Sequence, residues 1–180
     1  TLSPATAVSL TSGTATVLFV AIRTSGSAAN GTQIVATVGA NGVVTSDGNG
    51  PSASFTSTDY RVDSVPPTIS QIESFSGSAN VTVRFSEGVQ SAAGGPVTST
   101  TSLVYADGGG SAQTISSINH MPGQDRMTLT MSGNLDALDV SGGGASRLAM
   151  ATNTIMDMAG NVGSGAIPSI AFGSPLSITT

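Results

Sequence analysis

The sequence predicts an all-β protein, and three observations carry that prediction. Short β-branched runs recur along the chain with no helical periodicity between them. Gly, Asn, Asp and Pro separate the runs where turns need them. Only 8% of the 180 residues are charged while 38% are hydrophobic, a balance too apolar for a disordered segment and unlike that of a helical enzyme.

Taken in order, the candidate strands of the first part are residues 5–10, 14–23, 33–38 and 53–62, separated by SG, NG and the DGNGP cluster at 47–51. The second part offers 68–75, 80–85, 102–106, 112–118, 126–131, 147–156 and 166–172. Turn chemistry falls between them as SGSAN, DGGG at 107–110, PGQD at 122–125 and SGGG at 141–144. VTVRF and MTLTM alternate apolar and polar residues, which buries one strand face and leaves Thr128 and Thr130 on the other. Seven such strands from Pro66 to Gly173 predict an immunoglobulin-like sandwich. Pro66 and Pro67 fix two φ angles and remove two backbone donors, so a stiff joint is expected there. The expected organisation is therefore a tandem of immunoglobulin-like β-sandwiches. A small or incomplete one spans 1–64, a seven-strand one spans 65–174, and a C-terminal tail covers 175–180.

Composition narrows the function classes. The basic residues are five arginines, with no lysine, and the net charge is −5; this offers no basic face for a phosphate backbone and argues against nucleic-acid binding. With no cysteine, disulfides, zinc-thiolate sites and thiol nucleophiles are all excluded, and stability must come from packing, ladder hydrogen bonds or a hard cation. The longest apolar run, 15–22, is strand-sized and far short of the roughly 18 to 20 residues of a membrane-spanning helix, so no membrane insertion is expected. Nothing in the sequence resembles a signal peptide, so an exported chain would have lost its signal or carried it upstream.

Several motifs together resemble a known family. VDSVPPTIS, residues 62–70, looks like the VDTTAPTI-type junction that opens many repeats in large bacterial surface proteins. VTVRFSEGV at 81–89 resembles their FSEPV-type second strand, TSLVYADGGG at 101–110 the strand and turn that follow, and NTIMDMAGN at 153–161 the closing DxAGN element. In this order they are similar to the bacterial Ig-like repeats of S-layer proteins, surface adhesins and cyanobacterial motility proteins of the SwmB type, over roughly residues 63 to 173. Pro66 stands where those repeats usually have Ala, and Gly88 where they usually have Pro. The segment from Pro4 to Val38 resembles the start of an invasin-type Ig-like repeat. Its shortness leaves three readings open: a minimal sandwich, a truncated repeat, or a domain that borrows a strand from a neighbour. In the last case the tails 1–10 and 174–180 are the candidate donors.

The topology of a seven-strand sandwich brings the entering chain, the second connection and the sixth connection to one end. Asp63 lies in the entering linker, Glu87 follows the second strand, and Asp157 and Asn161 occupy the turn before the last strand. Three carboxylates and an amide oxygen meet the oxygen-only preference of Ca²⁺, which predicts a calcium site at the domain junction; the resemblance implies the same, since related adhesin repeats often bind calcium at their linkers. The competing reading makes Asp157 and Asn161 caps of their own turn and Glu87 a solvated acid.

Other groups read as structural. Asp136 and Asp139 in NLDALDV form a helical turn or polar loop rather than a catalytic carboxylate pair. His120, the single histidine, lacks the context of a Ser-His-Asp triad and is expected on a surface loop. The glycine runs at 108–110 and 142–144 are turns, without the Lys-Ser/Thr of a phosphate loop. Asn30 and Asn80 fit the N-glycosylation pattern.

The expected function is a non-enzymatic extracellular structural module or subunit of a bacterial surface layer, adhesin stalk or filament. It would self-associate or join neighbouring repeats of a larger surface protein through sandwich edges or terminal strands. The alternative is an adhesive module that recognises a glycan or host surface through loops at one sandwich end, although 4% aromatic content leaves little for stacking on sugars. An accessory domain of a secreted enzyme is a further alternative.

Overall fold

The computed structural model describes residues 27–40, 52–140, 146–163 and 170–172. The expected strands at 5–10 and 14–23, the DGNGP and SGGG turns and the tails 1–10 and 174–180 lie outside the described residues, and of the strand expected at 166–172 only 170–172 are described. Among the described residues, secondary structure is all-β apart from single helical turns.

The first part forms two small antiparallel ribbons. β1 (Gln33–Ile34) pairs with β4 (Tyr60–Arg61), and β2 (Thr37–Val38) pairs with β3 (Phe55–Thr56). The two continuous strands expected at 33–38 and 53–62 are thus each broken in two. The break has a local cause: the Ala36 amide donates to Ser57 Oγ at 3.0 Å, and that hydroxyl donates to the Thr58 carbonyl. A side-chain oxygen takes the place of a ladder carbonyl and interrupts the strand pair. Among the described residues before Pro67, none is buried.

From Pro67 onward the chain packs around a core. β5 (Ile69–Glu73), β6 (Asn80–Phe85), β9 (Ile115–Asn119) and β10 (Arg126–Met131) form a four-stranded antiparallel sheet in the order β5-β6-β10-β9. β8 (Leu103–Ala106), β11 (Arg147–Met150) and β13 (Ile170–Ala171) form a second sheet in the order β13-β11-β8. Val81, Val83 and Phe85 of β6 and Met127, Leu129 and Met131 of β10 share one hydrophobic cluster with Leu103, Leu148 and Met150 of the second sheet. The alternation in VTVRF and MTLTM puts those six side chains inside, while Thr128 and Thr130 on the opposite face are half-buried.

Two short strands make a separate ribbon: β7 (Val89–Ser91) pairs with β12 (Ile155–Asp157), in register from Ile155↔Ser91 to Asp157↔Val89. β7 was not expected, and the single strand expected at 147–156 is split into β11 and β12. At the break Asn153 adopts φ 58°, Thr154 Oγ1 donates to the Ala151 and Ser102 carbonyls, and Ala151 N donates to Ser102. The turn lets the chain leave one sheet and pair with β7. The acid-rich segment NLDALDV contains the helical turn α1 (Ala137–Val140).

Candidate metal centre at the β7–β12 end

The ribbon of β7 and β12 is built from the two connections that the sequence places at the entering end, and this positions the acids. Glu87 sits two residues before β7, Asp157 ends β12, and Asp63 lies in the segment leading to Pro66. One carboxylate oxygen from each lies within 4.8 Å of the others. Asp157 is fully buried, Glu87 half-buried and Asp63 exposed.

The supporting bonds begin in the DMAGN turn. Asp157 N donates to the Asn161 carbonyl at 3.0 Å, and Gly160, at φ 94°, turns the chain back. Asp157 Oδ1 accepts from Asn161 N at 2.8 Å and Oδ2 accepts from Asn161 Nδ2 at 2.7 Å. The same Nδ2 donates to the Asp63 carbonyl at 3.1 Å, joining residues 98 positions apart. Asn161 therefore turns its amide nitrogen, not its oxygen, to the acids and acts as the brace between linker and turn. Asp63 Oδ1 accepts from Val65 N at 3.1 Å, the last backbone donor before two prolines that have none. Turn capping and acid convergence thus occur in the same residues.

Arg61, two positions before Asp63, bonds other partners. Arg61 donates to Asp59 Oδ2 at 3.0 Å and to the Gly31 carbonyl at 3.3 Å. Burial, and then repulsion from Asp157 and Asp63, push the Glu87 carboxyl above its ordinary range. Three acids whose oxygens converge form an oxygen donor set suited to a hard divalent cation. Asp63, Glu87 and Asp157 are the residues that would hold it.

The remaining sequence candidates are placed as follows. Asp136 and Asp139 cap α1 and do not join the acid group. His120 is a correction: it is not a surface-loop residue but is 6% exposed, because its ring bridges two backbone segments. Val97 N donates to Nδ1 at 3.1 Å, and Nε2 lies 3.3 Å from the Gln124 carbonyl. Asn30 and Asn80 are exposed, and Asn30 Oδ1 accepts from Ser64 N. Sequence reasoning missed Gln90, whose Nε2 donates to the Asp157 carbonyl at 3.2 Å; its only signal was a polar residue inside an unrecognised strand. No protein-family model, curated protein or solved structure matches this chain.

Proposed function

We propose that this chain is a non-enzymatic extracellular structural module of a bacterial surface protein, with a calcium-locked joint between two immunoglobulin-like units spanning 1–64 and 65–174. The strand order β5-β6-β10-β9 over β13-β11-β8 supports the finer fold reading, since it matches the A-B-E-D and G-F-C order of constant-type immunoglobulin sandwiches. The observation that carries the functional reading is the convergence of Asp63, from the linker, with Glu87 and Asp157, from the larger body. A cation shared by these three ties the incoming segment to the sandwich end, where Asn161 already bonds Asp63. The proline pair then stiffens the same joint. A load-transmitting module of a surface layer, stalk or filament uses such a joint, and neighbouring repeats or further copies are its partners.

Thermal unfolding with calcium and with excess EGTA tests this. Calcium at a hundredfold excess over its dissociation constant contributes about 2.7 kcal/mol, which for a chain of this size raises Tm by roughly 5 to 10 °C. Asp63→Ala and Asp157→Ala each abolish the gain. An unchanged midpoint in calcium leaves these acids as turn caps only and removes the ion-locked joint.

A further inference from the structure

We propose that His120 is an acid-sensitive latch: its neutral ring pins the 96–99 segment to the sandwich, and protonation releases that segment and withdraws Val97 from the core. This goes beyond the cation site and does not depend on it.

The geometry fixes one ring tautomer. The Val97 amide can only donate, so Nδ1 must be the bare acceptor; the Gln124 carbonyl can only accept, so Nε2 must carry the proton. The same Gln124 carbonyl accepts from Val89 N at 3.1 Å, while Gly123 N donates to the Val89 carbonyl at 2.8 Å. The 121–125 loop is thereby held to β7 whatever the state of the ring. The 96–99 segment is held otherwise. Among the described residues, the Val97–His120 bond is the one hydrogen bond that ties it to a distant part of the chain; Ser99 bonds only Ser102 N and Thr101 Oγ1. The Val97 side chain, fully buried, is its anchor in the core.

Adding a proton to Nδ1 sets two donors facing each other across 3.1 Å, turning the bond into a repulsion, and leaves a charge at a buried site. No side-chain charge is at hand to offset it. Residues 88–106 and the strand β9 that leads into His120 carry none. Asp125 in the loop and Arg126 at the start of β10 are exposed and do not bond the ring, and Glu87 faces Asp63 and Asp157. Burial holds the ring below the ordinary histidine range, opposed only by the Gln124 carbonyl. The sign follows: the open form has the ordinary value, about 6.5, and the closed form a lower one. The latch is therefore fully closed above that ordinary value, and the opening equilibrium grows about tenfold per pH unit between the two values.

The test is amide hydrogen exchange of the full chain in excess EGTA from pH 7.5 to 4.5, corrected for intrinsic rates, alongside NMR titration of the His120 ring. The expected result is a fall in Val97 protection of about tenfold per pH unit below the ordinary histidine value, while Leu129 in the central strand β10 stays protected. His120→Gln keeps a donor and an acceptor but cannot charge, and its Val97 protection stays flat with pH. Flat protection in the wild type, or an equal fall in the variant, overturns the latch. If His120→Gln does not fold, the wild-type titration decides. Coincidence of the ring titration with the loss of Val97 protection supports the latch, and a ring that titrates without it overturns the latch.

Discussion

Gly88 has no room for a side chain. A Cβ there would overlap the carbonyl oxygen of Gly123, which is backbone and cannot swing aside. That close approach lets the 121–125 loop bond both Val89 N and the Val89 carbonyl, and so sets β7 beside the acids. Gly88→Ala is expected to destabilise the protein by about 1–3 kcal/mol, the usual cost of overpacking, as measured by urea unfolding. Gly133→Ala makes an informative comparison, because the nearest atoms there belong to the Gln113 side chain, which can rotate away; its cost should be smaller. In the sequence Gly88 was only a departure from the Pro of similar repeats. The reason for a small residue at that position lay 35 residues downstream, in a loop whose path the sequence does not give.

Among the elements, α1 shows local chemistry written plainly in the sequence. Asp136 Oδ1 accepts from Leu138 N at 2.8 Å and from Asp139 N at 3.3 Å, while Asp139 Oδ2 accepts from Asp136 N at 2.8 Å. This is the reciprocal capping box of a helix start, made with two aspartates three positions apart. Asp139 also lies fully buried, with Oδ1 accepting from Ser146 Oγ at 2.7 Å and from Tyr105 OH at 3.3 Å. Burial pushes the Tyr105 phenol up to about 12, so it stays a donor to this network well into the alkaline range. Asp139→Ala strands three donors and should cost about 2–4 kcal/mol, whereas Asp136→Ala loses chiefly a half-buried cap and should cost about 1 kcal/mol. Equilibrium denaturation of the two variants measures the difference; equal costs would remove the buried network as its cause. The strands were legible where they alternate over five or six residues, as β6 and β10 do, because their inward faces repeat with period two. They were not legible at Ser57 and Asn153, where one side chain or one positive φ breaks a run that still reads as β-branched.

At the scale of the whole molecule, the group of Asp63, Glu87 and Asp157 behaves oppositely with and without a cation. Without one, Glu87 has its folded-state pKa raised by burial and by its two neighbours. A raised carboxyl favours the protonated form, so the charged acid weakens the fold at neutral pH, and this weakening is relieved as pH falls through the raised value toward the ordinary one. Glu87→Gln should therefore raise Tm in EGTA at pH 7, and that gain should vanish near pH 4. In calcium the same substitution removes a ligand and should lower Tm instead. Calorimetry in the two buffers reads the sign directly; a substitution effect of one sign in both would sink the shared cation site.

The sequence by itself determined the all-β character, the two longest core strands and the identity of the three acids, because turn residues, two-residue alternation and a few charges in a charge-poor chain are local signals. It also placed those acids at one end, through the connection order that a seven-strand arrangement imposes. Tertiary structure alone decided that Asn161 braces Asp63 with its nitrogen, that β7 exists, and that His120 is buried between Val97 and Gln124. The physical reason is common to all three. Each depends on which backbone donor or acceptor lies opposite a group from a distant segment, and a backbone group looks the same at every position of a sequence.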